Sequence, residues 1–399
     1  MVRWHIITGE YPPQPGGVSD YTRLVARGLA ERGRKVHVWA PSRGQSEVES
    51  GSGVVVHRLA DGFGPRGLRE LDAGLGTPTG NNRLLVQYVP HSFGYRSMNL
   101  PLCTWLATRR TEQVWVMFHE VAVAFGARPI VNAVAVVHRL MASLLVNRAD
   151  RVFVSIPGWI PLIEKLKFGR LACEWLPIPS TLPTVVSPDG ATAVREGLAP
   201  KGGVLIGHFG TYGNLILPLL ERAVSRLLEG RPERRLLLLG RGGHEARAAM
   251  LGRQPRLGEQ LVAVGALSSD VLARHIAACD VMLQPYPDGL SSRRTSLMAA
   301  LGLGVPVVSN RGALTDPFWL EQSVVSVCDD ASADSLGRSV DRLLHDPTAL
   351  RALRASTAQV YQQHFSSGRT VENLLRVGVA CGDAPPCSPE REPTLGSEP

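Results

Sequence analysis

The feature that most constrains the fold of this chain is a series of short apolar segments, separated by helical patterns, that occurs twice. In the first half the predicted strands are Val2–Thr8, Val36–Ala40, Val54–Arg58, Leu84–Tyr88, Val114–His119 and Arg151–Ile156. In the second half they are Val204–His208, Leu236–Leu239, Leu261–Val264, Val281–Gln284, Pro306–Ser309 and Val324–Val327. Continuous apolar runs joined by helices are typical of parallel sheets covered on both faces. The sequence therefore predicts an α/β protein with two doubly wound, Rossmann-like domains.

Composition between and after the two series sets the expected domain boundaries. We expect residues 1–185 and 204–350 to form the two domains. Residues 186–203 continue a stretch rich in Pro, Gly, Thr and Ser, which predicts a linker. Residues 351–378 are predicted to form helices that pack back on the first domain. Residues 379–399 are mostly Pro, Ser, Glu and Gly, with almost nothing to bury, so we expect disorder.

Charge and cysteine usage narrow the function classes. The net charge is +8 with histidine neutral, which suits nucleic acid, an anionic membrane or a phosphorylated substrate. No compact Lys/Arg run is interleaved with aromatic residues, so nucleic acid is not expected as a partner. The cysteines form no C-x-x-C pair, which indicates reduced, mostly buried thiols in a cytoplasm; they are Cys103, Cys173, Cys279, Cys328, Cys381 and Cys387.

The N-terminus lacks the apolar region of a signal peptide, and the longest apolar stretch is Ile130–Val146. Asn132, His138 and Arg139 interrupt this stretch, so we expect a buried helix rather than a membrane span. The sequence predicts a cytoplasmic protein. The net charge and the Lys165–Lys167 segment leave peripheral contact with the inner face of the membrane open.

The first domain begins with a strand, a glycine-containing turn at Tyr11–Gly17, a helix over Val18–Arg32 and a second strand. Such a βαβ unit binds ligands at the carboxyl ends of its strands, and the free N–H groups of a helix N-terminus attract anions. Gly16 and Gly17 lack the G-x-G-x-x-G spacing of a dinucleotide site. A tight turn without a ligand explains the same glycines equally well.

The second domain has several strand-to-helix junctions with unusual residues. Gly210 and Thr211 follow its first strand, Arg241 lies in a Gly-rich turn after the second, and Leu267 follows the third. Each junction alone is explained as an ordinary turn. Several in succession on one edge predict a ligand site, because open α/β sheets bind ligands there.

The junction after the fourth strand, Gln284–Ser296, carries two adjacent arginines, Arg293 and Arg294, at a helix N-terminus. Cations oppose the helix dipole at that position. The arrangement is explained if an anion binds between the arginines and the helix N–H groups. A solvated arginine pair on a surface loop is the alternative.

Several of these features, in this order, resemble the GT-B glycosyltransferases, and glycosyltransferase family 4 in particular, up to about residue 377. The features are Gly16-Gly17, Gly33–Val38, His119 after a strand, Asn147–Asp150 before a strand, and Ala278–Val281 before Pro285. The resemblance implies a GT-B architecture of two Rossmann-like domains facing a central cleft. It implies an acceptor side in the first domain and a donor side in the second.

The activity that the resemblance implies is transfer of a sugar, with retention, from a nucleoside-diphosphate sugar to a hydroxyl of a glycan, lipid-linked or small-molecule acceptor. The nucleotide sugar is then a co-substrate, and no cofactor or metal is expected. The expected catalytic residues are His119 and Asp288. The donor-binding candidates are Gly16, Gly17, Gly210, Thr211, Arg241, Leu267, Gly289, Arg293, Arg294, Thr295 and Ser296.

The acceptor candidates Tyr88, His91 and Tyr95 lie in and after the fourth strand of the first domain, where aromatic faces with polar tips suit sugars. The alternative is that Phe93 and Tyr95 simply cover the base of their own loop.

The chain departs from the family at its Glu-x(7)-Glu block. Aligning Asp288 with the first glutamate places Ser296 at the second, whereas aligning on Gly304-x-Pro306 places Ser291 and Ala299 there. A serine cannot grip two ribose hydroxyls as a carboxylate can. The family's Arg and Lys after the first strand of the second domain are also missing, so Arg293, Arg294 and Arg241 are the candidates to neutralise a diphosphate. A sugar-nucleotide epimerase and a non-catalytic, sugar-nucleotide-binding subunit remain as alternatives.

Overall fold

In the computed structural model, the described residues are 2–42, 47–49, 52–76, 81–169, 172–199 and 202–379. The strands in them are β1 (Arg3–Thr8), β2 (Lys35–Pro41), β3 (Glu47–Val48), β4 (Val55–Leu59), β5 (Asn82–Tyr88), β6 (Gln113–Phe118), β7 (Arg151–Val154), β8 (Cys173–Trp175), β9 (Val204–Phe209), β10 (Arg234–Leu239), β11 (Leu261–Gly265), β12 (Val281–Leu283), β13 (Val307–Asn310) and β14 (Ser326–Cys328).

The α-helices in the described part of the chain are α1 (Gly17–Glu31), α2 (Pro65–Leu75), α3 (Leu100–Ala107), α4 (Pro129–Arg148), α5 (Ile160–Leu166), α6 (Pro188–Leu198), α7 (Leu217–Leu228), α8 (Gly243–Arg253), α9 (Ser269–Ala277), α10 (Thr295–Gly302), α11 (Pro317–Gln322), α12 (Ala333–His345), α13 (Pro347–Val360) and α14 (Ser367–Val379). A π-helical turn, Tyr361–Phe365, joins the last two.

The strands form two sheets. The first has the order β3-β4-β2-β1-β5-β6-β7-β8 and the second the order β11-β10-β9-β12-β13-β14. Every pairing is parallel except that of the short β3 with β4. The predicted α/β architecture of two doubly wound domains is confirmed, and each predicted strand overlaps an observed one.

The strand orders decide where a ligand can bind. In the first sheet the order reverses between β1 and β5, and in the second it reverses between β9 and β12. At such a switch point the loops that follow the two strands diverge to opposite faces of the sheet and leave a crevice. The Gly16 loop follows β1 and the Gly210 and arginine loops follow β9 and β12, so all three lie at switch points.

The C-terminal segment connects the two domains. Tyr361 and Phe365 pack in the core of the second sheet. Val371 and Leu374 of α14 pack in the core of the first sheet, and Val371 lies against Gly28 of α1. The predicted linker at 186–203 contains α6, which contacts α9. The disordered tail is predicted over residues 379–399, and all of it except residue 379 lies outside the described residues.

The expectation of a buried helix over Ile130–Val146 is only half right. One side of α4 is buried through residues that include Met141 and Leu145, but Ile130 is 72% and Leu140 is 50% exposed. Among the described residues, α4 alone is long and apolar enough to span a membrane, and 33% of that stretch is buried. The polar residues that interrupt the stretch do not mark its exposed side, because His138 is buried.

Three histidines and a tryptophan stack on one face of β1, β2 and β4. Trp39 lies on His57 with ring centroids 3.8 Å apart, and its Nε1 donates to Nδ1 of His5 at 3.1 Å. Nδ1 of His37 lies 2.9 Å from Nε2 of His57. Burial, together with the smaller effect of the neighbouring His37, lowers the pKa of His5 to about 3 and that of His57 to about 4.

We expect the free energy of unfolding to fall as the pH is lowered from about 6.5 to about 4. In this window the histidines of the unfolded chain, with a pKa near 6.5, take up protons that the folded cluster excludes. Acid therefore favours the unfolded state. Urea midpoints at pH 7 and pH 5 measure the effect.

The substitution His57→Phe keeps a ring against Trp39 and removes one of these titrating groups, so it should weaken the pH dependence. Replacing the exposed His345 by Phe is the control and should leave the pH dependence as it is. Equal midpoints at pH 7 and pH 5 in the native sequence would contradict this account of the cluster.

Candidate active site

The loops at the switch point of the second sheet enclose a pocket of about 470 Å³, here called the donor pocket. It lies between the carboxyl ends of the strands and the Gly16 loop of the first domain. Eight of the predicted donor residues line it: Gly16, Gly210, Thr211, Arg241, Arg293, Arg294, Thr295 and Ser296. The structure therefore brings together residues that are far apart in the sequence.

Positive charge in the donor pocket comes from the loop that leads into α10. The helix begins at Thr295, and no side chain caps its N-terminus. This N-terminal end and the two arginines line the pocket. Asp288 pairs with both guanidinium groups, and Nη1 of Arg293 lies 3.5 Å from Oε1 of Glu120 in the first domain. The guanidinium of Arg294 also lies 4.6 Å from the ring centroid of Tyr286. These contacts hold two cations at a helix N-terminus, where the dipole opposes them.

Asp288 does not lie where a catalytic residue is expected. Its two carboxylate oxygens engage the two arginines, and it is not among the residues that line the pocket. Gly289 has φ +89°, and a Cβ there would lie 2.4 Å from the backbone nitrogen of Gly312, so Gly289 shapes the turn. Leu267 packs on the core of the second sheet and does not line the donor pocket.

His208 is a pocket residue that sequence reasoning missed. Its side chain is 1% exposed, and Nδ1 lies 2.8 Å from the carbonyl oxygen of Leu283. Burial lowers the pKa of His208 to about 4, so the ring is neutral near pH 7 and Nδ1–H donates to that carbonyl. Nε2 then presents a lone pair, lies beneath Gly210 and has no partner among the described residues. The ring of His208 borders the donor pocket, while Nε2 itself is covered by the protein.

A second pocket of about 380 Å³, here called the cleft pocket, lies between the two domains and adjoins the donor pocket. The residues that line both pockets are Gly16, Arg293, Arg294 and Thr295. His119 lines the cleft pocket, and its Nε2 lies 2.8 Å from Oε1 of Gln87. Burial lowers the pKa of His119 to about 3, so this residue offers hydrogen bonding and no positive charge to a substrate.

The glycine turn before α1 differs from the free anion cradle that the sequence predicts. Oε1 of Glu10 accepts hydrogen bonds from the backbone nitrogens of Val18 at 3.1 Å and Ser19 at 3.0 Å. The protein's own carboxylate therefore occupies the positive end of the helix. A Cβ on Gly16 would lie 2.4 Å from that oxygen, so Gly16 makes room for Glu10. Gly17 lines the cleft pocket.

Of the acceptor candidates, only His91 lies in the cleft pocket, where its Nδ1 is 3.5 Å from Oε2 of Glu120. Tyr88 is 1% exposed and packs in the core of the first sheet against Phe118. Every residue of β5 is buried, and Tyr88 lines neither the donor pocket nor the cleft pocket. Tyr95 is 47% exposed and lines neither pocket.

Known structures share this fold, although no protein-family model matches the sequence and no curated protein does either. Sucrose-phosphate synthase from Thermosynechococcus elongatus superposes with a TM-score of 0.76 at 17% identity, over 96% of this chain and 99% of that one. The UDP-forming α,α-trehalose-phosphate synthase of Burkholderia xenovorans, solved with glucose-6-phosphate, gives 0.65 at 14% identity, over 94% and 99%. Anabaena HepE, solved with UDP-glucose, gives 0.66 at 13% identity, over 94% and 99%.

The chain has the GT-B fold. This likeness establishes the architecture expected from the sequence. The family 4 assignment stays a prediction.

The two domains of this GT-B fold are joined across the cleft by Ser292, which sequence reasoning also missed. Its Oγ donates to the carbonyl oxygen of Ser155 at 2.9 Å and accepts from Nε1 of Trp175 at 3.1 Å. Its backbone nitrogen donates to Oδ2 of Asp316 at 2.6 Å. Ser292 precedes Arg293 and so fixes the arginine loop against the first domain. No local pattern could identify it, because its partners lie 117 and 137 residues away.

We expect Ser292→Ala to lower the free energy of unfolding by about 1 kcal/mol, because it removes two buried hydrogen bonds while Nε1 of Trp175 still donates to the carbonyl oxygen of Ser155 at 3.3 Å. Ser291→Ala is the matched control: Ser291 is equally buried, but its Oγ has no hydrogen-bond partner among the described residues. That change should be close to neutral. Urea unfolding of both variants tests the difference, and equal losses would show that the hydroxyl of Ser292 contributes nothing specific.

Proposed function

We propose that this protein is a retaining glycosyltransferase that moves a sugar from a nucleoside-diphosphate sugar to an acceptor hydroxyl. The observation that carries the proposal is the pair of adjoining pockets, one from each domain's switch point, that share Arg293, Arg294 and Thr295. A transferase needs two substrates in contact at one reacting centre. The shared residues lie where the two would meet.

The donor pocket supplies the groups that a departing diphosphate requires. Negative charge grows on the leaving group as the bond to the sugar breaks, and preorganised cations and helix N–H groups stabilise it. Arg293 and Arg294 stand at the uncapped N-terminus of α10, and Arg241 lines the same pocket. HepE, which has a similar fold, was solved with UDP-glucose, so UDP and UDP-glucose are the first ligands to test.

Retention is supported by the state of the carboxylates in the cleft pocket. Glu10 caps α1, and Glu120 is paired with His91 and Arg293, so each is engaged within the protein. Attack from the face of the leaving diphosphate needs no separate carboxylate base. Inverting transfer is the second candidate, because Glu120 beside His91 is an arrangement that would make His91 a general base.

The two rival functions make different demands on the structure. An epimerase acts on the nucleotide sugar alone and needs no acceptor site, whereas here a second pocket adjoins the donor pocket. A non-catalytic subunit could bind the nucleotide sugar without transferring the sugar. Product analysis with and without added acceptors separates these functions from transfer.

We expect UDP to raise the melting temperature of the native protein, because a ligand that binds only the folded state stabilises it. The double substitution Arg293→Met and Arg294→Met removes both charges and should abolish the shift. Arg222→Met, on the exposed side of α7, is the control and should retain it. If neither UDP nor any other nucleoside diphosphate raises the melting temperature of the native protein, the proposed function is wrong.

Stereochemistry follows from the proposed mechanism and can be read with water as the acceptor. We expect slow hydrolysis of UDP-glucose to release α-glucose first, since retention preserves the anomeric configuration of the donor. Proton NMR at early times resolves the two anomers before they interconvert. Release of β-glucose first would favour the inverting candidate with His91 as its base.

A further inference from the structure

The exposed side of α4 is apolar where a surface helix is usually polar. Ile130, Val136 and Leu140 are each at least half exposed, and Phe125, in the loop before the helix, is 57% exposed. The other side of α4 packs on the core of the first sheet, so the helix lies along the surface of the domain. Exposed apolar side chains gathered on one face mark an interaction site.

A groove of about 480 Å³ runs from this face to the cleft and is here called the apolar groove. The apolar residues that line it include Val123, Ile130, Val131, Val134 and Trp159. Its inner end is lined by His91, Glu120 and Arg293, which also line the cleft pocket. A molecule in the groove would therefore have an apolar part along α4 and a polar part at the reacting centre.

The charged side chains of α4 and of residues 121–128 before it are positive. The sequence of α4 contains no Asp or Glu, and Arg128 precedes the helix. Arg139 lies with its guanidinium 4.1 Å from the ring centroid of Phe125, and its Nη1 donates to the carbonyl oxygens of Val123 and Ala135 at 3.1 and 2.9 Å. The acidic residue of the groove, Glu120, lies at the inner end. Apolar side chains flanked by arginines suit a surface of anionic lipids.

We infer that the apolar groove holds the hydrocarbon part of an amphiphilic acceptor, which the enzyme meets at a membrane surface containing anionic lipids. The acceptor hydroxyl then lies at the inner end, beside His91 and Glu120 and across from the donor pocket. The inference rests on the proposed function, and it selects a lipid-linked acceptor from the classes that the sequence leaves open.

Flotation with vesicles of phosphatidylcholine and phosphatidylglycerol tests the membrane surface. The native protein should float with these vesicles and more weakly with phosphatidylcholine alone. The double substitution Ile130→Glu and Leu140→Glu should reduce the bound fraction about tenfold or more, because two apolar side chains leave the lipid. The matched control carries Val185→Glu and Leu320→Glu, two exposed apolar positions away from α4, and should float as the native protein does.

Occupancy of the groove needs a separate measurement. Vesicles that contain brominated phosphatidylcholine quench tryptophans in contact with their chains, and Trp159 lines the groove. The quenching should be clearly smaller in the Trp159→Phe variant. Equal quenching in both proteins, equal flotation of the Ile130/Leu140 variant, or no flotation of the native protein would overturn the inference.

Donor binding distinguishes this inference from the proposed function. The Ile130/Leu140 variant should show the same melting-temperature shift with UDP as the native protein, because both positions lie outside the donor pocket. A normal shift with no vesicle binding would overturn the membrane-bound acceptor and leave the proposed transferase standing. Vesicle binding without a shift from UDP or any other nucleoside diphosphate would instead overturn the proposed function on which the inference depends.

Discussion

The arrangement of the whole site depends on how two adjacent arginines are neutralised. Arg293 and Arg294 precede the N-terminus of α10, where the helix dipole opposes positive charge. Asp288 offsets this by pairing with both, and Glu120 reaches Arg293 from the other domain. Because one partner lies in each domain, the same ion pairs that keep the cations in place also connect the walls of the cleft. An anionic ligand that engages the arginines would therefore act on contacts between the domains.

Ser292 gives this electrostatic network a fixed geometry. Its hydroxyl and backbone nitrogen bond to Ser155, Trp175 and Asp316, all of them buried or half-buried. Exposed ion pairs alone contribute little to position, since solvent screens them. Directional hydrogen bonds one residue before Arg293 fix the path of the loop, so the guanidinium groups face the pockets and not the solvent.

The fold could be predicted from the sequence because most of the long strands are buried on both faces and therefore appear as apolar runs. The sequence does not predict β3 and β8, which are only two and three residues long and lie at the edges of the first sheet. The site was only partly predictable. Loops at strand ends were placed correctly by topology, but the capping of α1 by Glu10 and the burial of Tyr88 depend on how side chains pack in three dimensions. No pattern of spacing in the sequence encodes those contacts.

The composition of α4 shows why apolar character alone does not predict burial. Its sequence is apolar on both sides, so hydropathy could not tell which side packs and which remains exposed. The packing of Met141 and Leu145 in the core identifies the side that remains free. The apolar groove connects that side to the cleft. The apolar groove ends at Arg293, which also lines the donor and cleft pockets. Under the proposed function, this one side chain borders the expected positions of the leaving group, the transferred sugar and the acceptor.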